Sequence, residues 1–385
     1  MNILYDHQTF TNQKYGGISR LFCEVARNLA KDPSNEITIS IKHSDNVFLK
    51  AWNIHDLDSI TTMDNWLYDG YLPGKKRLFR FLEKMNLVRD SNTVNTEYSL
   101  KNLSTMDIDV FHPTYYDDYY LDKQKFRFPV VITVFDMIHE LFPEYFPTDD
   151  PVLRNKKRVV EYADRIIAIS ESTKNDLARI YGINKKKIEV IHLASSLNAE
   201  KNAERIVQEK YLLFVGDRFV YKNFGRFVAA VSPLVRKYKL RLILAGGGSR
   251  LGRADEMVLK EHDVFDRTTH VPITCDGELE SLYSHAELFV FPSLYEGFGI
   301  PILESMAMSC PVACSRTSSF PEVAGDAAVY FNPMDVSDIR AVVEKVLESS
   351  SLRAELAQRG IERNKMFNWE KTAAHHGGLY RCLIN

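Results

Sequence analysis

Two glutamates, Glu296 and Glu304, enclose a turn that contains two glycines in the second half of the chain. Glycines let the backbone approach a ligand closely, and the predicted helix start leaves the amides of residues 298–300 without intrahelical partners. Because an ionised carboxylate accepts two hydrogen bonds, either glutamate can bind the vicinal diol of a ribose or a hexose. The alternative is a glutamate whose charge only interacts with the helix dipole and stabilises the helix by roughly 0.5 kcal/mol. That alternative leaves the glycines unexplained.

Two cations, Arg218 and Lys222, follow an apolar run that predicts a strand ending at Val215. A helix is predicted to open near Asn223, and the free amides and the dipole of a helix start favour negative charge. Arg218 offers paired donors to a phosphate, whereas Lys222 supplies a point charge. The spacing therefore predicts a phosphate site, with two solvated loop cations as the alternative.

A glycine pair, Gly16 and Gly17, comes soon after the first predicted strand and opens the first predicted helix. A strand, a glycine-rich loop and a helix in succession form a geometry that receives phosphate. The pair does not belong to a G-x-G-x-x-G dinucleotide fingerprint, and the P-loop pattern is missing as well. A phosphate ligand is thus expected without either of those two nucleotide motifs.

Three more polar groups, His112, Asp136 and His139, stand at or just beyond the ends of two predicted strands. In open α/β sheets, ligands bind at the carboxyl ends of the strands. We therefore expect His112 to face a cleft, and Asp136 and His139 to bind a second substrate or to orient His112. A packed or capping histidine is the alternative for His112, and loop capping is the alternative for the other two.

The elements that position these groups are short apolar strands separated by longer helical patterns. Strands that are apolar on both faces and alternate with helices predict parallel sheets covered on both sides. The sequence therefore predicts an α/β fold of two doubly wound, Rossmann-like domains with an interdomain cleft. The predicted divisions are a first domain at 1–195, a linker at 196–208, a second domain at 209–368 and a final helix at 369–385 that crosses back to the first domain.

Composition excludes several other classes of protein. The 385 residues include 49 basic and 51 acidic side chains, so a nucleic-acid partner is not expected. Five scattered cysteines fit a reducing compartment better than a disulfide scaffold. The longest apolar runs have strand length, and the N-terminus lacks a signal-peptide core. These features predict a cytoplasmic protein.

The motifs resemble those of the GT4 family of retaining glycosyltransferases. The likeness is carried by residues 216–223, 282–283, 291–304 and 320–328. It spans essentially the whole chain and is strongest between about residues 210 and 335. The spacing of the two cations is similar to that of a branch containing mannosyltransferases of bacterial O-antigen and capsule assembly. The resemblance implies the GT-B fold, with the donor nucleotide in the second domain and the acceptor in the first.

The resemblance also implies roles for single residues. On the donor side, the pyrophosphate would be held by Arg218 and Lys222, the ribose by Glu304, and the transferred sugar would face Glu296. The remaining implied donor contacts are the amides of Phe298, Gly299 and Ile300, with Gly16 and Gly17 closing over the diphosphate. On the acceptor side the implied residues are His112, near the attacking hydroxyl, with Asp136 and His139.

Catalysis in such a site consists mainly of stabilising charge on the departing nucleoside diphosphate. Because Arg218, Lys222 and helix amides would supply that stabilisation, we expect no metal and no cofactor. Retention by double displacement needs a second carboxylate about 5 Å from the first, and the sequence offers none beyond the two binding glutamates. We therefore expect front-face substitution, with His112 and Glu296 completing the catalytic set.

GDP-mannose is the favoured donor, ahead of UDP-hexoses, and the expected acceptor is a glycan or a lipid-linked glycan of a cell-surface polysaccharide. The segment 72–89 is basic and amphipathic, which is typical of a helix lying on an anionic membrane. Peripheral contact with the inner face of the plasma membrane is the resulting hypothesis. The alternative is a surface helix whose apolar stripe packs on the first domain.

Two other functions fit the same architecture. A UDP-sugar 2-epimerase shares the two-domain arrangement but lacks the block around Glu296 and Glu304 as it is written here. A non-catalytic nucleotide-sugar-binding protein would not need the full set of charged groups. Release of nucleoside diphosphate only with acceptor supports transfer, isomerised sugar supports the epimerase, and binding without turnover supports the third function.

Overall fold

The computed structural model describes residues 1–52, 57–62, 66, 74–85, 87–121, 126–197, 204–248 and 250–384. The predicted linker at 196–208 lies partly outside this range, at 198–203, and so do residues 72, 73 and 86 of the predicted membrane segment. The strands of the described chain are β1 (Asn2–Tyr5), β2 (Glu36–Ile39), β3 (Val110–His112), β4 (Val131–Val134), β5 (Arg165–Ala168), β6 (Ile188–Val190), β7 (Tyr211–Val215), β8 (Arg241–Ala245), β9 (Thr268–Val271), β10 (Leu288–Phe291), β11 (Val312–Ser315) and β12 (Ala328–Phe331).

Helices fill the connections between the strands. They are α1 (Gln8–Asn12), α2 (Gly17–Leu29), α3 (Val47–Ala51), α4 (Lys75–Lys84), α5 (Ser91–Thr105), α6 (Ile138–Leu141), α7 (Pro151–Tyr162), α8 (Glu171–Tyr181), α9 (Phe224–Lys237), α10 (Arg253–Glu261), α11 (Asp276–Ser284), α12 (Ile300–Ala307), α13 (Phe320–Ala324), α14 (Val336–Glu348), α15 (Ser350–Asn364) and α16 (Trp369–Ile384).

Each half of the chain builds a parallel sheet. In the first half the strand orders are β2-β1-β3 and β4-β5-β6, and a parallel bridge between Phe111 and Val130 joins them. In the second half six strands follow the order β12-β11-β10-β7-β8-β9. Every residue of β3, β4, β7, β10 and β11 is buried, because helices cover both faces of the sheets. The predicted α/β fold of two doubly wound units is confirmed.

The last helix, α16, lies against the first domain. A Cβ atom added at Gly377 would come within 2.9 Å of the Leu29 side chain on α2. The Tyr380 hydroxyl is 3.1 Å from the hydroxyl of Tyr5 and 2.7 Å from Nδ1 of His112. Residues from the very end of the described chain thus complete the core of the first domain.

Candidate active site

A cavity of about 360 Å³ lies between the two domains. Its walls combine residues from loops and helix starts of both halves. From the first domain they include Gly17, Ile18, Leu21, Phe135, Asp136 and Ile138, and from the second Tyr221, Lys222, Glu296, Gly297, Phe298, Gly299 and Ile300.

The position of the cavity follows from the order of the strands. In the second sheet the chain direction across the sheet reverses between β10 and β7, which are adjacent. The loops after these two strands therefore separate and leave a crevice at the carboxyl ends of the strands. Lys222 follows β7 and Glu296 follows β10, so the crevice brings together two groups that lie 74 positions apart.

The loop after β10 is held in place by its own backbone. Gly299 caps α12 with φ of 95°, a left-handed conformation that favours glycine. The Ser319 hydroxyl lies 3.0 Å from the carbonyl oxygen of Glu296 and 2.8 Å from that of Phe298. These contacts fix the amides at the start of α12 beside the cavity. Helix-start amides in this position favour an anion.

Lys222 and Glu296 form an ion pair at the cavity wall. The Lys222 Nζ atom is 2.7 Å from Oε1 of Glu296, and 14% of each side chain is exposed. Burial disfavours the charged ammonium, but the adjacent carboxylate outweighs it and raises the pKa of Lys222 above its usual value. Lys222 therefore carries a positive charge into the cavity at neutral pH.

Arg218 does not join Lys222 in the cavity wall. Its Nε atom donates to Oδ2 of Asp255 at 2.9 Å, and its terminal nitrogens donate to the carbonyl oxygens of Gly246 and Gly247 at 3.1 and 2.7 Å. Only 5% of the Arg218 side chain is exposed. The structure therefore places Arg218 against the loop after β8 and against α10, and its role in holding the diphosphate beside Lys222 stays a prediction.

Glu304 lies on α12, one helical turn after its first residue, Ile300, and it contacts Tyr283. The Tyr283 hydroxyl donates to Oε2 of Glu304 at 3.1 Å. Burial raises the pKa of Glu304 to about 7, although Arg20 and Tyr283 act in the opposite direction. Removal from water explains the direction, because the ionised carboxylate loses hydration that no full ion pair replaces.

An ion pair between the domains passes close to Glu304. Arg20 on α2 contacts Oδ1 of Asp276 at 2.5 Å, at the first residue of α11. The Tyr15 hydroxyl also donates to Asp276, and the Arg20 guanidinium lies 4.6 Å from the centre of the Phe48 ring. Sequence reasoning missed this cluster. The only signal was the position of Arg20 three residues after Gly17.

The two predicted glycines differ in their surroundings. Gly17 lines the cavity, and a Cβ atom there would be 3.5 Å from the Ile300 side chain of the other domain. Gly16 is the cap of α2 and faces away, because an added Cβ would lie 2.4 Å from Oε1 of Gln13. Only Gly17 therefore borders the cavity, whereas Gly16 shapes the turn before it.

The backbones of the two domains come close together at Gly297, which sequence reasoning did not single out as a site of domain contact. A Cβ atom at this position would come within 1.6 Å of the Phe135 carbonyl oxygen and 3.1 Å of the Asp136 Cβ atom. The Thr173 hydroxyl on α8 also donates to the Gly297 carbonyl at 3.4 Å. The end of β4 and the loop after β10 thus touch through backbone atoms.

Of the three predicted acceptor residues, only Asp136 lines the cavity. His112 is fully buried, with Nδ1 2.7 Å from the Tyr380 hydroxyl and Nε2 2.9 Å from Oγ1 of Thr133. Burial, with His376 nearby, holds the pKa of His112 well below its usual value. A neutral ring with both nitrogens engaged is a packed histidine, so the expectation that it faces the cleft is corrected.

His139 is likewise displaced from the cavity. Its ring stacks on that of Phe146 with centroids 3.9 Å apart, and Nε2 lies 3.7 Å from Oδ2 of Asp150. Burial lowers the pKa of His139, and Lys156 lowers it further. The helix α6 thus turns His139 towards α7 and away from the residues that line the cavity, and its contact with an acceptor stays a prediction.

Among the residues that the structure describes, no group of three or more histidine, cysteine or acidic side chains is arranged to hold a metal ion. Two charged groups of the cavity wall, Lys222 and Glu296, are paired with each other across loops. Among the described residues that line the cavity, Lys222 and the amides at the start of α12 supply the positive charge that an anionic ligand would meet.

Comparisons with known proteins agree with this architecture. A model described as "Glycosyltransferase Family 4" matches residues 15–195, and one described as "Glycosyl transferases group 1" matches residues 196–363. The chain is 29% identical in sequence to O-antigen chain mannosyltransferase B from Escherichia coli. That alignment covers 70% of this chain and 75% of the relative. It is 27% identical to the serotype-specific mannosyltransferase WbdA from the same organism. That alignment covers 97% of this chain and 47% of the relative.

Among solved structures, sucrose-phosphate synthase from Thermosynechococcus elongatus superposes with a TM-score of 0.74. The likeness covers 99% of this chain and 98% of that one at 22% identity, so it bears on the fold alone. The family models together match nearly the whole chain, and the two sheets have the arrangement that the resemblance implied. The chain therefore belongs to the GT4 glycosyltransferases and has the GT-B fold.

Proposed function

We propose that this protein transfers a hexose, with mannose favoured, from a nucleoside diphosphate sugar to a hydroxyl of a glycan or lipid-linked glycan. The observation that carries the proposal is the position of the Lys222–Glu296 pair and the α12 amides in one interdomain cavity. A fixed positive charge and free amides stabilise the charge that develops on a departing diphosphate. In this proposal that stabilisation needs no metal ion.

Front-face substitution with retention is part of the proposal. The acidic side chains in the described cavity wall are Asp136 and Glu296. Glu296 is paired with Lys222, and Asp136 belongs to the first domain, where we place the acceptor, so we assign neither as the nucleophile. This pairing supports a reaction in which the departing phosphate accepts the proton of the acceptor. In this proposal the close approach of the two domains at Gly297 serves to keep water from the reacting atoms.

The relatives support mannose and a polysaccharide acceptor, because one is named an O-antigen chain mannosyltransferase and the other a serotype-specific mannosyltransferase. GDP-mannose is therefore the favoured donor and UDP-hexoses are the next choice. We infer cell-surface polysaccharide synthesis from the same names, and we propose the cytoplasmic side of the membrane as its location.

The direct test is calorimetry with GDP, UDP and ADP and their sugar conjugates, followed by an assay of nucleoside diphosphate release. We expect GDP-mannose to bind and to release GDP faster when a mannose-terminated acceptor is added. The anomeric configuration of the product, read by NMR, tests retention. Isomerised sugar instead of transfer would favour the epimerase, and tight binding without release would favour a sensor.

Contact with an anionic membrane surface through α4 is a further part of the proposal. Leu78, Phe81 and Met85 are 48%, 58% and 55% exposed, whereas Phe79 on the opposite side is buried. An exposed apolar stripe beside the basic side chains of α4 suits the boundary between headgroups and acyl chains. No helix in the described ranges is long and apolar enough to cross a bilayer.

A further inference from the structure

A buried lysine, Lys156, lies directly behind the wall of the cavity. It belongs to α7, and none of its side chain is exposed. Burying an ammonium costs several kcal/mol unless other groups compensate its charge and hydrogen bonds. The partners of Lys156 therefore indicate why a lysine occupies this position.

The Lys156 ammonium contacts two acidic residues. Its Nζ atom is 2.9 Å from Oε2 of Glu140, a side chain that is 4% exposed. It also donates to the Asp136 carbonyl oxygen at 3.2 Å and lies 3.8 Å from Oδ1 of the same residue. The Tyr181 hydroxyl donates to the other oxygen of Glu140. Glu140 is therefore fixed from both sides and serves as the buried counter-ion.

Asp136 differs from Glu140 because it reaches the cavity. Its side chain is 29% exposed, and its Cβ atom faces Gly297 in the loop that carries Glu296. The Ile138 amide donates to Oδ1 at 3.0 Å. Oδ2 has no such constraint among these contacts, which suits an oxygen that accepts a hydrogen bond from an incoming hydroxyl.

We propose that Lys156 is a positioning residue that holds Asp136 in the orientation that receives the acceptor hydroxyl. The inference rests on the proposed function and extends it to a residue that does not itself touch substrate. The lysine ties the backbone and the side chain of Asp136 to α7, so the carboxylate meets the hydroxyl in one place. No covalent step is assigned to Lys156.

The test uses the full chain, GDP-mannose as donor and methyl α-mannopyranoside as the probe acceptor. We expect Lys156→Met to lower kcat for GDP release by about 100-fold, the effect of misplacing a reacting group by about 1 Å. GDP affinity, measured by calorimetry, stays unchanged, because the second domain supplies the donor contacts. Lys156→Arg keeps the cation and restores most of the turnover.

Two further variants separate positioning from stability. Lys157→Met is the matched control, because Lys157 is the next residue on α7 and its side chain is 57% exposed. It should behave as the wild type. Lys156→Met with Glu140→Gln removes the uncompensated buried carboxylate, so the melting temperature should recover while turnover stays low.

Recovery of both the melting temperature and turnover in the double variant would overturn the inference, because Lys156 would then have only a structural role. Full activity of Lys156→Met would overturn it as well. In both cases an active wild type leaves the proposed function intact. A wild-type protein that binds and turns over no nucleoside diphosphate sugar would overturn the proposed function and this inference together.

Discussion

Substitution of Gly297 by alanine tests whether the closed contact between the domains is the active arrangement. The added Cβ atom would meet the Phe135 carbonyl oxygen at 1.6 Å, whereas real Cβ contacts are essentially never shorter than 3.0 Å. The loop after β10 and the end of β4 must therefore separate by more than 1 Å. Since the contact joins two domains, the cleft can open without unfolding either of them.

A misplacement of about 1 Å between reacting groups costs about 100-fold in rate, or roughly 2.7 kcal/mol. We therefore expect Gly297→Ala to lower kcat for GDP release from GDP-mannose by at least that factor, with GDP affinity changed by less than about threefold. Gly225→Ala on α9 is the control, because apart from its chain neighbours and the backbone of its own helix no atom lies within 4 Å of its added Cβ. Wild-type turnover in Gly297→Ala would refute the reasoning that this contact forms the reacting site.

Three further predictions concern Glu304, α4 and Tyr380. Burial raises the pKa of Glu304 to about 7, and a ribose diol needs the ionised carboxylate, so below pH 7 the affinity for GDP-mannose should increase about tenfold for each unit by which the pH increases. Glu304→Gln should abolish this pH dependence in calorimetry. Phe81→Asp with Leu78→Asp should end flotation with phosphatidylglycerol vesicles that the wild type shows, and unchanged flotation would count against the membrane surface. Tyr380→Phe should lower the free energy of unfolding in urea by about 1–3 kcal/mol, because a buried nitrogen of His112 loses its partner, with GDP affinity unchanged. Lost affinity at full stability would contradict the packed role of His112.

Most of the fold could be predicted from the sequence, because strands buried on both faces appear as continuous apolar runs. The apolar run that predicts a strand ending at Val215 does form a strand that ends at this residue. The strand Thr268–Val271 does not stand out in this way. It is polar and only partly buried at an edge of the sheet, so its hydrophobic pattern is weak.

The site was predictable where the spacing of glycines indicates the backbone geometry of a loop. It was not predictable where the position of a side chain depends on contacts with residues far away in the sequence. Lys222, Glu296 and the amides after Gly297 do meet in one cavity. The placement of Arg218 outside the cavity wall was not foreseen, because its partner, Asp255, lies 37 positions away. His112 was expected to face the cleft, but its ring forms a hydrogen bond with the hydroxyl of Tyr380, which lies 268 positions later in the chain.

Lys156 carried no sequence signal at all. It stands in the run Asn155-Lys156-Lys157-Arg158, where every charged residue is an ordinary candidate for a solvated helix face. Only the packing of α7 distinguishes the buried Lys156 from the exposed Lys157.

A crystal structure of the protein with GDP-mannose tests the central claim most directly. We predict that the diphosphate lies in the interdomain cavity, with oxygen atoms about 3 Å from Lys222 Nζ and from the amides that begin α12. A diphosphate bound outside this cavity, with the Lys222 ammonium still engaged only by Glu296, would contradict the claim.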